Sequence, residues 1–187
     1  MWAGMTAVMM APVVWPWLRA LARSRSPGSN SLTLPAFTLG YGVAWIGFSA
    51  VMALAQLLLQ GLGTPSPLIS NAPALAGGAL LVAGAFQFSK LKDACLSHCR
   101  SPFGYFATYW RPGVGGAFSM GARHGVFCLG CCWAIMALAL AVGMLDARMM
   151  GVLMAAMVLE TVGPFGRRPS RPIGVALLLW GVVLLLA

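Results

Sequence analysis

All five cysteines and both histidines of this chain lie between positions 95 and 132, in two short segments. The first, KLKDACLSHCR, carries Cys95, His98 and Cys99; the second, ARHGVFCLGCCWAIM, carries His124, Cys128, Cys131 and Cys132. A single cysteine in an apolar helix is ordinarily small hydrophobic filler, but seven soft or borderline donors in two clusters make packing a weak account. At about 100° per residue, Cys128, Cys131 and Cys132 lie at about 40°, 340° and 80° from His124, so all four share one helix face. Cys95, His98 and Cys99, spaced by three and four, likewise share one side of a turn.

Such donors suit a metal ion. Four ligands drawn from thiolates and imidazoles fit tetrahedral Zn(II), and two or three thiolates fit Cu(I). Covalent haem is disfavoured because C-x-x-C-H is absent: Cys132 and Trp133 follow Cys131. An iron–sulfur cluster is compatible with the ligand count, but no spacing picks it out. Cys128-Leu-Gly-Cys131 is also formally a C-x-x-C dithiol, which keeps a membrane thiol-disulfide oxidoreductase open beside the metal.

The elements that must position these donors are apolar. Of 187 residues 60% are hydrophobic and 8% charged, and the mean hydropathy of +0.86 is that of a polytopic helical membrane protein, all-α, folded as one domain over 1–187. At about 20 apolar residues per span, six spans are expected: Trp2 to Leu21, Leu34 to Leu62, Asn71 to Phe88 with a helical pattern continuing towards Arg100, His124 to Leu145, Met149 to Phe165, and Pro172 to Ala187. A cleaved signal peptide is disfavoured at the start, because no basic region precedes the first apolar stretch and Pro12 and Pro16 interrupt it.

The net charge of +9 does not point to nucleic acid, because the basic residues lie in short runs between apolar stretches. Arg19, Arg23 and Arg25, then Lys90, Lys92, Arg100, Arg111 and Arg123, then Arg167, Arg168 and Arg171 all fall on one side of six alternating spans; only Arg148 falls on the other. The expected topology therefore has basic loops in the cytoplasm and both termini outside. SRSPGSNS is then an internal loop and GTPSPLIS an external turn. Thiols stay reduced in the cytoplasm, which disfavours a structural disulfide but not a cycling pair.

An antiparallel hairpin of spans three and four would bring the two donor faces together at their cytoplasmic ends. Lys90, Lys92 and Asp93 at the water boundary would leave Cys95 beyond it. Cys128 would lie five residues, about 7 Å, inside a boundary drawn at Arg123, so two separate half-sites are an alternative. The loop at about 101–122 is expected at the membrane interface, since FGYFATYW holds five aromatics in eight residues.

Among the twelve methionines, Met5 and Met9 are one turn apart and Met149, Met150 and Met157 share a broad face with Glu160. Packing accounts for most of them, and their thioethers add modest weight to copper. Glu160, costly in an apolar span, is expected to pair with Arg167, Arg168 or another basic residue, or to stand behind a ligating histidine. Gln56 and Gln87 are expected in hydrogen bonds between helices.

AVMMAP, KLKDACLSHCR, HGVFCLGCCWAIM and the LE of span five together resemble a bacterial family of predicted metal-binding integral membrane proteins, from Met5 to about Gly163. HGxxCLGCCW is the specific part. The resemblance implies an inner-membrane location and metal binding. Two departures stand out: the family usually carries a further hydrophobic span before the AMM-P segment, and usually a lysine after the span-five glutamate, where this chain has Thr161.

No catalytic triad, phosphate loop or acid–base pair is visible, and three acidic residues leave enzymatic acid–base chemistry few candidates. The expected function is binding of a soft metal, Cu(I) ahead of Zn(II), for metal handling or for assembly of a membrane metalloenzyme, with that enzyme or a metal carrier as partner. The alternatives are the oxidoreductase and an accessory subunit that packs its small-residue faces, GVGGAFSMGA and ALAGGALLVAGA, against a larger membrane complex.

Overall fold

Long apolar segments without period-2 alternation should be helical, and every regular element in the described residues is a helix. The structure is a computed structural model and describes residues 1–24, 31–63, 68, 72–142, 146–163 and 168–186. Arg25, Arg167 and most of the SRSPGSNS and GTPSPLIS turns lie outside these residues. The helices are α1 (Trp2–Ser24), α2 (Thr33–Gly61), α3 (Pro73–Phe86), α4 (Lys90–Cys99), α5 (Pro102–Tyr109), α6 (Gly113–Ala137), α7 (Ala139–Val142), α8 (Ala147–Thr161) and α9 (Ser170–Leu186).

Among the described residues, three helices are long and apolar enough to cross a membrane: α1, α2, and α6 with its continuation to Ala141. The pair α3 and α4 qualifies together and is bent by 67°, giving up to four where six were expected. α8 has 15 residues and α9 has 17, short of the roughly 20 that a span requires. α1 runs continuously through Pro12 and Pro16. Asp146 caps α8, its carboxylate accepting from the backbone N–H of Arg148 and Met149.

The tightest seam joins α2 to α6, and glycine makes it. A Cβ on Gly121 would fall onto the Phe37 carbonyl, one on Gly125 onto Tyr41 and Ala44, and one on Gly40 onto the backbone of Phe118 and Ala122. Gly121 and Gly125 are one turn apart, the small-xxx-small spacing that lets two helix backbones touch. Gly121→Ala is therefore expected to cost about 1–3 kcal/mol through overpacking against rigid backbone. Gly42→Ala, in the same helix pair but with open space around its Cβ, should be neutral or stabilising; thermal unfolding of the two variants checks this.

Glycine also sets the second seam, α3 on α9. Gly77 and Gly181 face each other's carbonyls, and Gly84 lies against Leu178. Both small-residue stretches expected to face a partner complex thus supply glycines to seams within the chain. Gln56 works as expected across helices, though as acceptor: the Trp2 indole N–H donates to its Oε1 at 2.7 Å.

Residues 113–122, expected in an interfacial loop, are the first turns of α6. Gly113, with φ of 81°, opens that helix after Pro112. Arg123 had marked the water boundary, but it lies inside α6, its guanidinium 3.9 Å from the centroid of the Tyr109 ring. A cation over an aromatic face needs no position at the helix end.

Candidate metal centre

Three buried sulfurs meet where α4 ends against the middle of α6. The Sγ atoms of Cys99, Cys128 and Cys131 all lie within 4.8 Å of one another. Cys131 Sγ is 3.6 Å from Cys99 Sγ and 3.3 Å from Cys132 Sγ, and the Tyr41 hydroxyl is 3.3 Å from Cys128 Sγ. All five cysteines are free thiols. The α6 face supplies its sulfurs by the one-sided spacing legible in the sequence, and α2 can deliver Tyr41 because the glycine seam holds its backbone so close.

Cys99 is placed by ties at both ends of α4. Ser89 caps the helix, its hydroxyl accepting from the Lys92 N–H at 3.1 Å. At the other end the Trp17 indole N–H donates to the Cys99 carbonyl at 3.2 Å, taking up a carbonyl that has no partner within the helix. Arg100 then donates to the carbonyls of Glu160 and Gly163, fastening the end of α4 to the end of α8.

Lys92 is the principal departure from expectation. It was assigned to the water boundary, yet it is 1% exposed and forms an ion pair with Glu160 at 2.6 Å, itself 1% exposed, while also donating to Gln87 Oε1. The bend between α3 and α4 turns Lys92 inward. Glu160 thus finds its basic partner from α4 rather than from Arg168.

His124 is 0% exposed and neither ring nitrogen has a hydrogen-bond partner. Trp17 stacks on it at 3.6 Å between centroids, with Tyr41 at 5.4 Å and Phe37 and Tyr105 at 6.1 Å. Burying an imidazole with no partner costs on the order of 1–3 kcal/mol. The ring lies one turn before Cys128 on the same face but outside the group of three sulfurs.

Cys95 and His98 are not brought into that group. Cys95 is half-buried with its sulfur against Gly130, on another side of α6. His98 Nδ1 is 2.9 Å from the Ala94 carbonyl, and its ring stacks on Phe127 at 4.5 Å. A helix carries Cys95 and Cys99 on one side of a turn and both meet α6, but Cys95 meets it at Gly130, off the face that carries Cys128 and Cys131.

The aromatic segment before α6 closes the site. Tyr105 and Phe106 of α5 are buried edge-on against Trp17, at 5.2 and 5.7 Å, whereas Phe103 and Trp110 remain exposed. The Tyr105 hydroxyl donates to the Met120 carbonyl at 2.8 Å. Burial pushes this phenol up to about 12, so it keeps its donor proton at neutral pH. Tyr41, Trp17 and Lys92 were not singled out as part of a site; the only sequence signal for Tyr41 was Gly40 beside it.

The donor set can be tested against an ion. Three sulfurs held about 2.3 Å from one centre in a trigonal plane are about 4.0 Å apart; with Cys99 and Cys131 at 3.6 Å and all three within 4.8 Å of one another, small side-chain adjustments reach that spacing. Three thiols, a fourth adjacent and little oxygen make a soft site.

Comparison with curated proteins and with solved structures finds no match to the chain. Comparison with protein families matches residues 1–184 to the family described as PpoB2, copper chaperone. The match spans nearly the whole chain and agrees with a buried, thiol-rich centre: the protein belongs to the copper chaperone family PpoB2.

Proposed function

We propose that the protein is a multi-pass inner-membrane copper chaperone that carries Cu(I) on Cys99, Cys128 and Cys131 and passes it to a membrane metalloenzyme or another copper carrier. The observation that carries this reading is the meeting of three buried sulfurs from two helices within 4.8 Å of one another. Cys132, 3.3 Å from Cys131, is positioned to take over one coordination place as the ion moves. His124, with two unpartnered nitrogens, is a further donor on the same face of α6. Cys95 and His98, half-buried on α4 against Gly130 and Phe127 of α6, are a second half-site on the path to or from the first.

The apolar helices support the bilayer, and the basic runs orient the chain with those runs in the cytoplasm. Cu(I) is preferred over Zn(II) because three thiolates complete its coordination, whereas Zn(II) requires a fourth ligand.

Metal analysis and X-ray absorption of the purified protein test the proposal. One copper per chain with three sulfur neighbours is expected after reconstitution with Cu(I), and no retention of Zn(II) in competition. Absence of bound copper, with oxidant lowering the free-thiol titre by two, would replace this reading with a cycling disulfide.

A further inference from the structure

A cavity of about 420 Å³ is lined by Gln87, the hydrogen-bond partner of Lys92, and by Phe88, Asp93, Arg168, Ser170 and Arg171. The copper site uses none of these residues. Two of them, Gln87 at 3% exposure and Ser170 at 4%, carry polar atoms without any partner: Gln87 Nε2 and Ser170 Oγ. The orientation of the Gln87 amide is dictated by its neighbour. Lys92 can only donate, so Gln87 Oε1 must face it, which leaves the two N–H donors of Nε2 unused.

These donors converge with positive charge. Ser170 opens α9, a helix of 17 residues, whose first N–H groups and dipole favour an anion. Arg168 and Arg171 flank it, both exposed and so able to swing their guanidinium groups over the cavity. Asp93 is the one acid on the wall, and it has interactions of its own. Gly174, one turn into α9, lets that helix approach the Gln87 Cβ and the Phe88 ring, which fixes the cavity's width.

We infer that this cavity binds a phosphate group, held by Gln87 Nε2, Ser170 Oγ and the guanidinium groups of Arg168 and Arg171. A phosphate oxygen accepts from every one of these groups, and charge-assisted bonds to arginine are the strongest of the set. The two unpartnered donors distinguish a built site from a merely basic surface, since leaving a buried amide and hydroxyl unsatisfied is costly. The group can arrive free in solution or on an anionic phospholipid whose chains lie along the exposed apolar faces of α3 and α9.

Binding is measured by calorimetry on the full chain in neutral detergent, with inorganic phosphate in one arm and short-chain phosphatidylglycerol in the other, at constant ionic strength. Saturable binding of at least one probe is expected, weakened about 10-fold or more in R168Q/R171Q and in S170A. The arginines are exposed, so their replacement leaves the fold intact. R19Q/R23Q removes the same charge from exposed positions on α1 and should bind as the wild type does. Binding of the lipid alone assigns the site to a headgroup; binding of both assigns it to phosphate itself. If neither probe binds, or if R19Q/R23Q loses as much as R168Q/R171Q, the inference is wrong. The readout does not involve copper, so it stands or falls apart from the chaperone proposal.

Discussion

Cys99→Ser is expected to weaken Cu(I) binding by about 100-fold or more, whereas Cys95→Ser, one turn away on the same helix, should leave it within about 2-fold of wild type. Loss of a group that merely supports a ligand typically costs 10–100-fold in metal affinity, so loss of a ligand should lie at or above the top of that range. The two cysteines share helix, residue type and spacing rule; they differ in what α6 brings to them. Cys99 lies 3.6 Å from Cys131, and Cys95 lies against Gly130. Competition against a Cu(I) chelator gives the affinities, and X-ray absorption should show one sulfur fewer in C99S alone. Equal losses in both variants, or none in either, would refute the three-sulfur site.

The second large effect concerns the buried ion pair. Lys92→Met should destabilise the protein by about 3–5 kcal/mol, because it leaves the Glu160 carboxylate buried without its counter-charge. Oε1 of Glu160 already lacks a partner, so no second donor stands ready. Lys92→Met combined with Glu160→Leu should recover most of the loss, since a pair of apolar residues removes both desolvation penalties. Chemical unfolding in detergent provides the comparison. A single variant costing under about 1 kcal/mol, or a double variant as poor as the sum of the singles, would mean that the pair is not buried as described. The single variant should also lower copper occupancy, because Lys92 anchors the short helix that ends in Cys99.

The residues that resisted prediction share a cause. Lys92 and Arg123 were placed at the water boundary by the rule that charge marks the end of an apolar segment. That rule assumes no partner inside, and here Glu160 and the Tyr109 ring supply one. Pairing of spans three and four was the expectation for the hairpin, and α4 does pack on α6, but the closest neighbour of α6 is α2. The signal was present as Gly40, Gly121 and Gly125, yet small residues on a helix do not name the helix they will meet.

The sequence by itself determined what is local: the all-helical class, from apolar segments lacking strand alternation, and the shared faces of the cysteines and histidines, from the 100° step of the helix. It also placed every cysteine and histidine in two segments and so pointed to the chemistry. Only the tertiary structure decided which donors meet. Cys99, Cys128 and Cys131 converge while Cys95 and His98 stand apart, because the bend before Lys90 and the glycine seam fix how α4 and α2 cross α6. Helix faces follow from residue spacing along one chain segment. The partner of each face is set by the packing of segments remote in sequence, where a missing Cβ or a buried counter-ion determines the fit.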